Sequence, residues 1–159
     1  MKDKLITKDL FLTTLNCPIR AWRDNKLTTP NPLSLYDKFI IEEGLDIHKK
    51  AQLLFPDGVM VSGSNISAAK QTAHLLNDPE VSTLFEATFM IHRGITKADI
   101  IRKTPTGLHL YEIKSGLDPK EEYLDDLAYT TMIATQAGLP ISKCSLLLLS
   151  RDYRYGMPV

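Results

Sequence analysis

The sequence predicts an α/β domain with a mixed β-sheet of about four strands flanked by helices. Three observations carry that expectation. Helix-period segments open the chain, three strand-like segments follow, and one helix and one strand close it. A hairpin is written around Thr104-Pro105-Thr106-Gly107, where Pro at the second and Gly at the fourth position suit a type I turn. The last strand-like segment is reached through a helix, so it should lie parallel to a neighbour in the sheet.

The elements follow in order. Thr7 can cap a short helix running to Leu15, with its apolar residues on one stripe, and Asn16-Cys17-Pro18 ends it. Pro30 and Pro32 mark a loop. Ser34 can cap a longer helix to about Leu54, with Leu35, Phe39, Glu42 or Glu43, and Ile47 at near-helical spacing. Phe55-Pro56-Asp57-Gly58 is a turn, and Ser67 to Leu76 is an amphipathic helix stopped by Asn77-Asp78-Pro79. Ser82 to His92 is a strand that Gly94 breaks. Asp99 to Lys103 and Leu108 to Lys114 are the two arms of the hairpin. Pro119 to Ala137 is a helix stopped by Gly138 and Pro140, and Cys144 to Ser150 is an apolar run typical of a strand buried on both faces.

Composition narrows the function classes. The 159 residues fit one domain, spanning 1–159, with room for a sizeable core. Nineteen basic residues balance nineteen acidic ones, which argues against a non-specific nucleic-acid binder of the usual basic kind. A local basic groove stays open, because Arg93, Lys97, Arg102 and Lys103 face Asp99 alone in that stretch; a solvated strand pair reads the same charges equally well. No apolar run approaches a membrane span, and the charged N-terminus lacks the apolar core of a signal peptide, so a cytoplasmic protein without a membrane partner is expected. Cys17 and Cys144 are too few for a disulfide framework and fit buried small apolar positions.

The hairpin carries the chemistry. Centred between Pro105 and Thr106, it sets Asp99 opposite Glu112, and directly opposed residues lie about 5 Å apart. Glu112 and Lys114 are two apart and share a face, while Ile113 points the other way, towards a core. Two carboxylates suit magnesium or manganese, and Lys114 could orient or deprotonate a water or stabilise a charged transition state. The trio of Asp99, Glu112 and Lys114 thus reads as the catalytic set of a metal-dependent nuclease; an ordinary cross-strand ion pair fits the same residues.

Six segments in order give a resemblance. Leu15-Asn16-Cys17-Pro18-Ile19-Arg20-Ala21-Trp22, Gly44-Leu45-Asp46-Ile47-His48, Phe85-Glu86-Ala87-Thr88-Phe89, Ala98-Asp99-Ile100-Ile101, Glu112-Ile113-Lys114 and Asp125-Asp126-Leu127-Ala128-Tyr129 together resemble the PD-(D/E)XK nuclease superfamily. Within it they look like the RecB-like and CRISPR-associated exonuclease branch. The resemblance implies a restriction-endonuclease-like sheet and a Mg²⁺- or Mn²⁺-dependent deoxyribonuclease acting on DNA ends or single strands. It implies His48, Asp99, Glu112 and the Ile113 carbonyl as metal ligands and Lys114 as the catalytic lysine. Glu86 would be a further acid beside the metal or a ligand of a second one. Tyr129 would contact substrate or support Lys114, and Asp125 would stand beside the site or the substrate.

Three departures stand beside it. Asp125 occupies the place of the branch's glutamine. Many relatives hold an iron–sulfur cluster through one early and three late cysteines, and two cysteines cannot make that cluster. Relatives are often longer, which leaves open a missing C-terminal region or a homo-oligomer that completes the surface. A non-catalytic module of the same fold, binding nucleic acid or a protein, is the alternative function.

Overall fold

A computed structural model describes residues 5–26, 32–154 and 157. Thr7 caps α1 (Lys8–Asn16) by accepting from the Leu10 N–H. Pro18 then opens α2 (Pro18–Lys26) rather than only closing α1. A proline in the first helical turn has no N–H to waste and a backbone angle already set for helix. Ser34 and Asp37 form a reciprocal box at the start of α3 (Leu35–Gln52), each accepting from the other's N–H. The Ser34 hydroxyl and N–H hold the Asp37 carboxyl below its ordinary value.

The sheet has five strands, one more than expected, in the order β1-β2-β3-β4-β5. The extra strand is β1 (Val59–Met60), a pair of residues parallel to β2 and too short to show any period. After α4 (Asn65–Asn77) come β2 (Thr83–Ile91), β3 (Gly94–Thr104) and β4 (Gly107–Ile113), all antiparallel. The chain then crosses over through α5 (Glu121–Gln136) to β5 (Ile141–Leu147), which pairs parallel to β4 as expected. The connection at Pro105-Thr106 holds, with Thr104 paired to Gly107 and Ile100 to Tyr111. Gly107 is required there: its φ is +134°, and a Cβ would stand 2.5 Å from the Pro140 carbonyl oxygen.

Side-chain alternation slips once, in two strands at the same level. Leu84 and Ala87 of β2 lie in one core, and so do Ala98 and Ile101 of β3, although residues three apart should face opposite ways. Between them Phe85 and Ile100 turn to the second core. The slip sits at Glu86, whose φ of +57° is left-handed backbone in mid-strand. The register on either side is unchanged, Phe85 with Ile100 and Ala87 with Ala98.

Helices cover both faces. The larger core joins Leu84, Phe89, Ile101 and Leu110 to Ala68 of α4 and to Tyr129 and Ile133 of α5. The smaller joins Phe85, Ile100 and Ile113 to Ala51 of α3. The N-terminal segment is tied down by Ile6, which bridges β3 through Arg93 O and the Ile95 N–H and accepts at 2.7 Å from the Tyr129 hydroxyl. Phe11 stacks on the Tyr129 ring at 4.7 Å.

Three expectations are corrected. β5 begins at Ile141, ends at Leu147, and is an edge strand with no fully buried residue, because no strand among the described residues lies on its outer side. Both Cys17 and Cys144 are exposed. Leu35 and Phe39 of α3 are exposed as well, together with Tyr36, Ile40, Ile41 and Leu45; only the C-terminal part of α3, at Ile47 and Ala51, reaches the core. No helix among the described residues is long and apolar enough to cross a membrane.

Candidate metal centre

The slip at Glu86 brings two acids under α3. One ligand atom each from His48, Glu86 and Asp99 lies within 4.8 Å of the others. His48 Nδ1 is 3.9 Å from Glu86 Oε1, and His48 Nε2 is 4.0 Å from Asp99 Oδ2. Burial lowers the His48 pKa despite its acidic neighbours, so the ring is neutral near pH 7 and these contacts are not ion pairs. Neutral imidazole is also the form that ligates a metal. Asp99 is fixed by the Ile113 N–H, which donates to Oδ2 at 2.7 Å. Burial raises its pKa to about 6, against the pull of Lys8 and that hydrogen bond.

Beside this cluster stands a ring of four charges. Glu112 Oε1 accepts from Lys8 Nζ and from Lys114 Nζ, both at 3.0 Å. Asp126 binds the same two lysines, Lys8 at 2.6 Å through Oδ1 and Lys114 through Oδ2. The Lys8–Oδ1 contact is an ion pair without hydrogen-bond alignment, so Asp126 Oδ1, like Glu112 Oε2, is buried without a hydrogen-bond donor among the described residues. The two orphans differ, because Asp126 Oδ1 has a cation against it. Burial, then the nearby Asp99, raises the Glu112 pKa to about 7. Burial also opposes the charge on Asp126 and on both lysines, but the opposite charges outweigh it: Asp126 is held low and Lys8 and Lys114 are held high.

The sequence-predicted residues divide between these two groups. His48 and Asp99 come together with Glu86, whereas Glu112 and Lys114 keep the phase of Leu108 and Leu110 and turn to α1 and α5. Ile113 contributes its N–H to Asp99 and its side chain to the core. Tyr129 is 2% exposed and donates its hydroxyl to the Ile6 carbonyl. Asp125 is half-buried in a cleft of about 620 Å³ between α1 and α5, which also reaches Lys114. The basic residues are used separately: Lys97 is 3.6 Å from Glu86, Arg102 lies over the Phe55 ring, and Lys103 binds the carbonyls ending α4.

Lys8 and Asp126 were missed. Asp126 did carry a signal, because it falls three, four and seven positions before the buried Tyr129, Thr130 and Ile133. An acid on the buried stripe of a helix needs a cation. Lys8 follows its helix cap and carries no such mark. The chain matches no family model, no curated protein and no solved structure among those compared.

Proposed function

We propose that this protein is a Mg²⁺- or Mn²⁺-dependent deoxyribonuclease with a restriction-endonuclease-like fold, hydrolysing phosphodiesters at DNA ends or in single strands, in the cytoplasm. One observation carries the reading: His48, Glu86 and Asp99 each bring a ligand atom to within 4.8 Å of the others. The donor set fits the group. Oxygen ligands with one imidazole suit manganese and tolerate magnesium. Glu86 is held in left-handed backbone, a conformation that costs about 1–3 kcal/mol and tends to cluster at functional sites.

His48, Glu86 and Asp99 would hold the ion, with Glu112 near enough for its charge to act on His48 and to feel that of Asp99. A bound divalent ion supplies Lewis-acid stabilisation of phosphoryl oxygens and a more acidic water. Lys114 is clamped between Glu112 and Asp126 as an ammonium, which supports a part as fixed positive charge beside the phosphate rather than as a base. Asp126 keeps it in place.

End-labelled single- and double-stranded DNA incubated with Mg²⁺, Mn²⁺ or EDTA tests the proposal. Cleavage should need the metal, and Asp99→Ala or Lys114→Ala should abolish it in a folded protein. Full activity in either variant would sink the mechanism. The alternative, a non-catalytic binding module, is favoured by one feature: Glu112 is already neutralised by two lysines. Mn²⁺ binding lost in Asp99→Ala, together with cleavage, decides against it.

A further inference from the structure

Lys8 lies 104 positions before Glu112, yet its ammonium reaches the Glu112 carboxylate. Its placement is fixed from three sides: Ile6 is bridged to β3, the Tyr129 hydroxyl binds Ile6 O, and Phe11 stacks on Tyr129. Lys8 and Lys114 share a single oxygen of Glu112 and leave the other buried without a donor. Each lysine also has Asp126 as a second partner.

This arrangement permits an exchange. If Glu112 turned away, Lys8 and Lys114 would each keep one acid, and no cation would be stranded in the interior. Asp126 is then the acid that makes Glu112 dispensable to the lysines. The charges point the same way. Four carboxyl groups, Glu86, Asp99, Glu112 and Asp126, gather around two lysine ammoniums, Lys8 and Lys114. Lys97 approaches Glu86 from the solvent side, with its side chain 53% exposed.

We propose that Lys8 is a positioning residue that decides which cation Glu112 serves. At rest its ammonium holds Glu112 back from the His48–Glu86–Asp99 cluster; a divalent cation bound by that cluster takes Glu112, and Lys8 falls back on Asp126. The inference rests on the metal site proposed above, though not on DNA cleavage.

Calorimetric titration with Mn²⁺ tests it on four proteins: wild type, Lys8→Met, Glu112→Gln and the double variant. Lys8→Met should bind Mn²⁺ about tenfold tighter, within the range of coupling between contacting residues. In the Glu112→Gln background the same change should bring less than about threefold. Lys8→Arg should restore the wild-type affinity. A merely structural Lys8 would move the melting temperature and leave these ratios flat. Equal tightening in both backgrounds, which is the signature of simple charge removal, overturns the proposal, and so does no tightening at all.

Amine labelling of the wild-type protein keeps the test alive if Lys8→Met does not fold. Mass spectrometry should show Lys8 reacting faster with Mn²⁺ present, as one of its two partners leaves; an unchanged rate overturns the proposal. Wild type that binds no Mn²⁺ overturns the metal site and this inference together. Mn²⁺ binding with the Lys8 response but without DNA cleavage supports this inference and refutes only the nuclease reading.

Discussion

Replacing Asp126 by Ala separates a buried charge pair from a surface one within the same chain. Asp126 is 5% exposed and sits 2.6 Å from Lys8 Nζ, with Lys114 on its other oxygen. At an effective dielectric constant of about 20, the Lys8 attraction alone is about 6 kcal/mol. Part of that is offset, because the acid no longer has to be desolvated and Glu112 still holds both lysines. Removing one partner of a buried pair leaves a net cost of about 3–5 kcal/mol. Unfolding entropy of about 2.1 cal/mol/K per residue makes each kcal/mol worth about 3 °C in a chain this long, so the melting temperature should fall by about 9–15 °C. Asp118 is the internal control: it too pairs with a cation, Arg151, but the two side chains are 62% and 65% exposed. Asp118→Ala should cost less than about 1 kcal/mol, or under about 3 °C. Circular-dichroism melts and urea titrations at two salt concentrations measure both, and only the Asp118 effect should shrink with salt. Asp126→Ala melting within about 3 °C of wild type would refute the claim that this ring is buried and mutually dependent.

Gly107→Ala should lower stability by at least about 2 kcal/mol, since the new Cβ would meet the Pro140 carbonyl oxygen and the backbone is left-handed; a urea midpoint unchanged from wild type would contradict the tight approach of β4 and the α5–β5 loop. Asp37 gives a pH dependence. Its folded pKa is depressed from the ordinary 3.8, so its contribution is whole above that value and is lost as pH falls through the folded one. Melting temperatures of wild type and Asp37→Asn should therefore differ at pH 6 and converge under strong acid; a difference constant with pH would refute the cap.

The hairpin was legible because its signals are local. A proline, a glycine two residues later and alternation on both arms fix the register from Ile100 opposite Tyr111 to Thr104 opposite Gly107 without help from the rest of the chain. The Ser34 cap and the crossover to β5 were legible for the same reason. What alternation could not carry is its own interruption: Glu86 leaves no local signature, yet its left-handed backbone turns Glu86 and Asp99 towards α3. The partnership of Lys8 with Glu112 spans 104 positions and depends on where α1 docks, which only the folded sheet decides. Pro18 misled in a simpler way, since a proline that ends one helix can begin the next. The apolar residues of α3 were expected to face a core, but most of them face solvent beside a groove of about 650 Å³ that runs to Lys114.

The fastening of Ile6 has a kinetic consequence. Lys8 lies two residues from a backbone held by β3 on one side and by the Tyr129 hydroxyl on the other. Helix α1 therefore cannot slide to carry Lys8 away from Glu112. Any change of partner must come from rotation about side-chain bonds of Glu112 or Lys8, which is intrinsically faster than the microseconds to milliseconds of helix shifts. Relaxation of the Lys8 side chain should thus be fast while the α1 backbone stays silent on the millisecond scale.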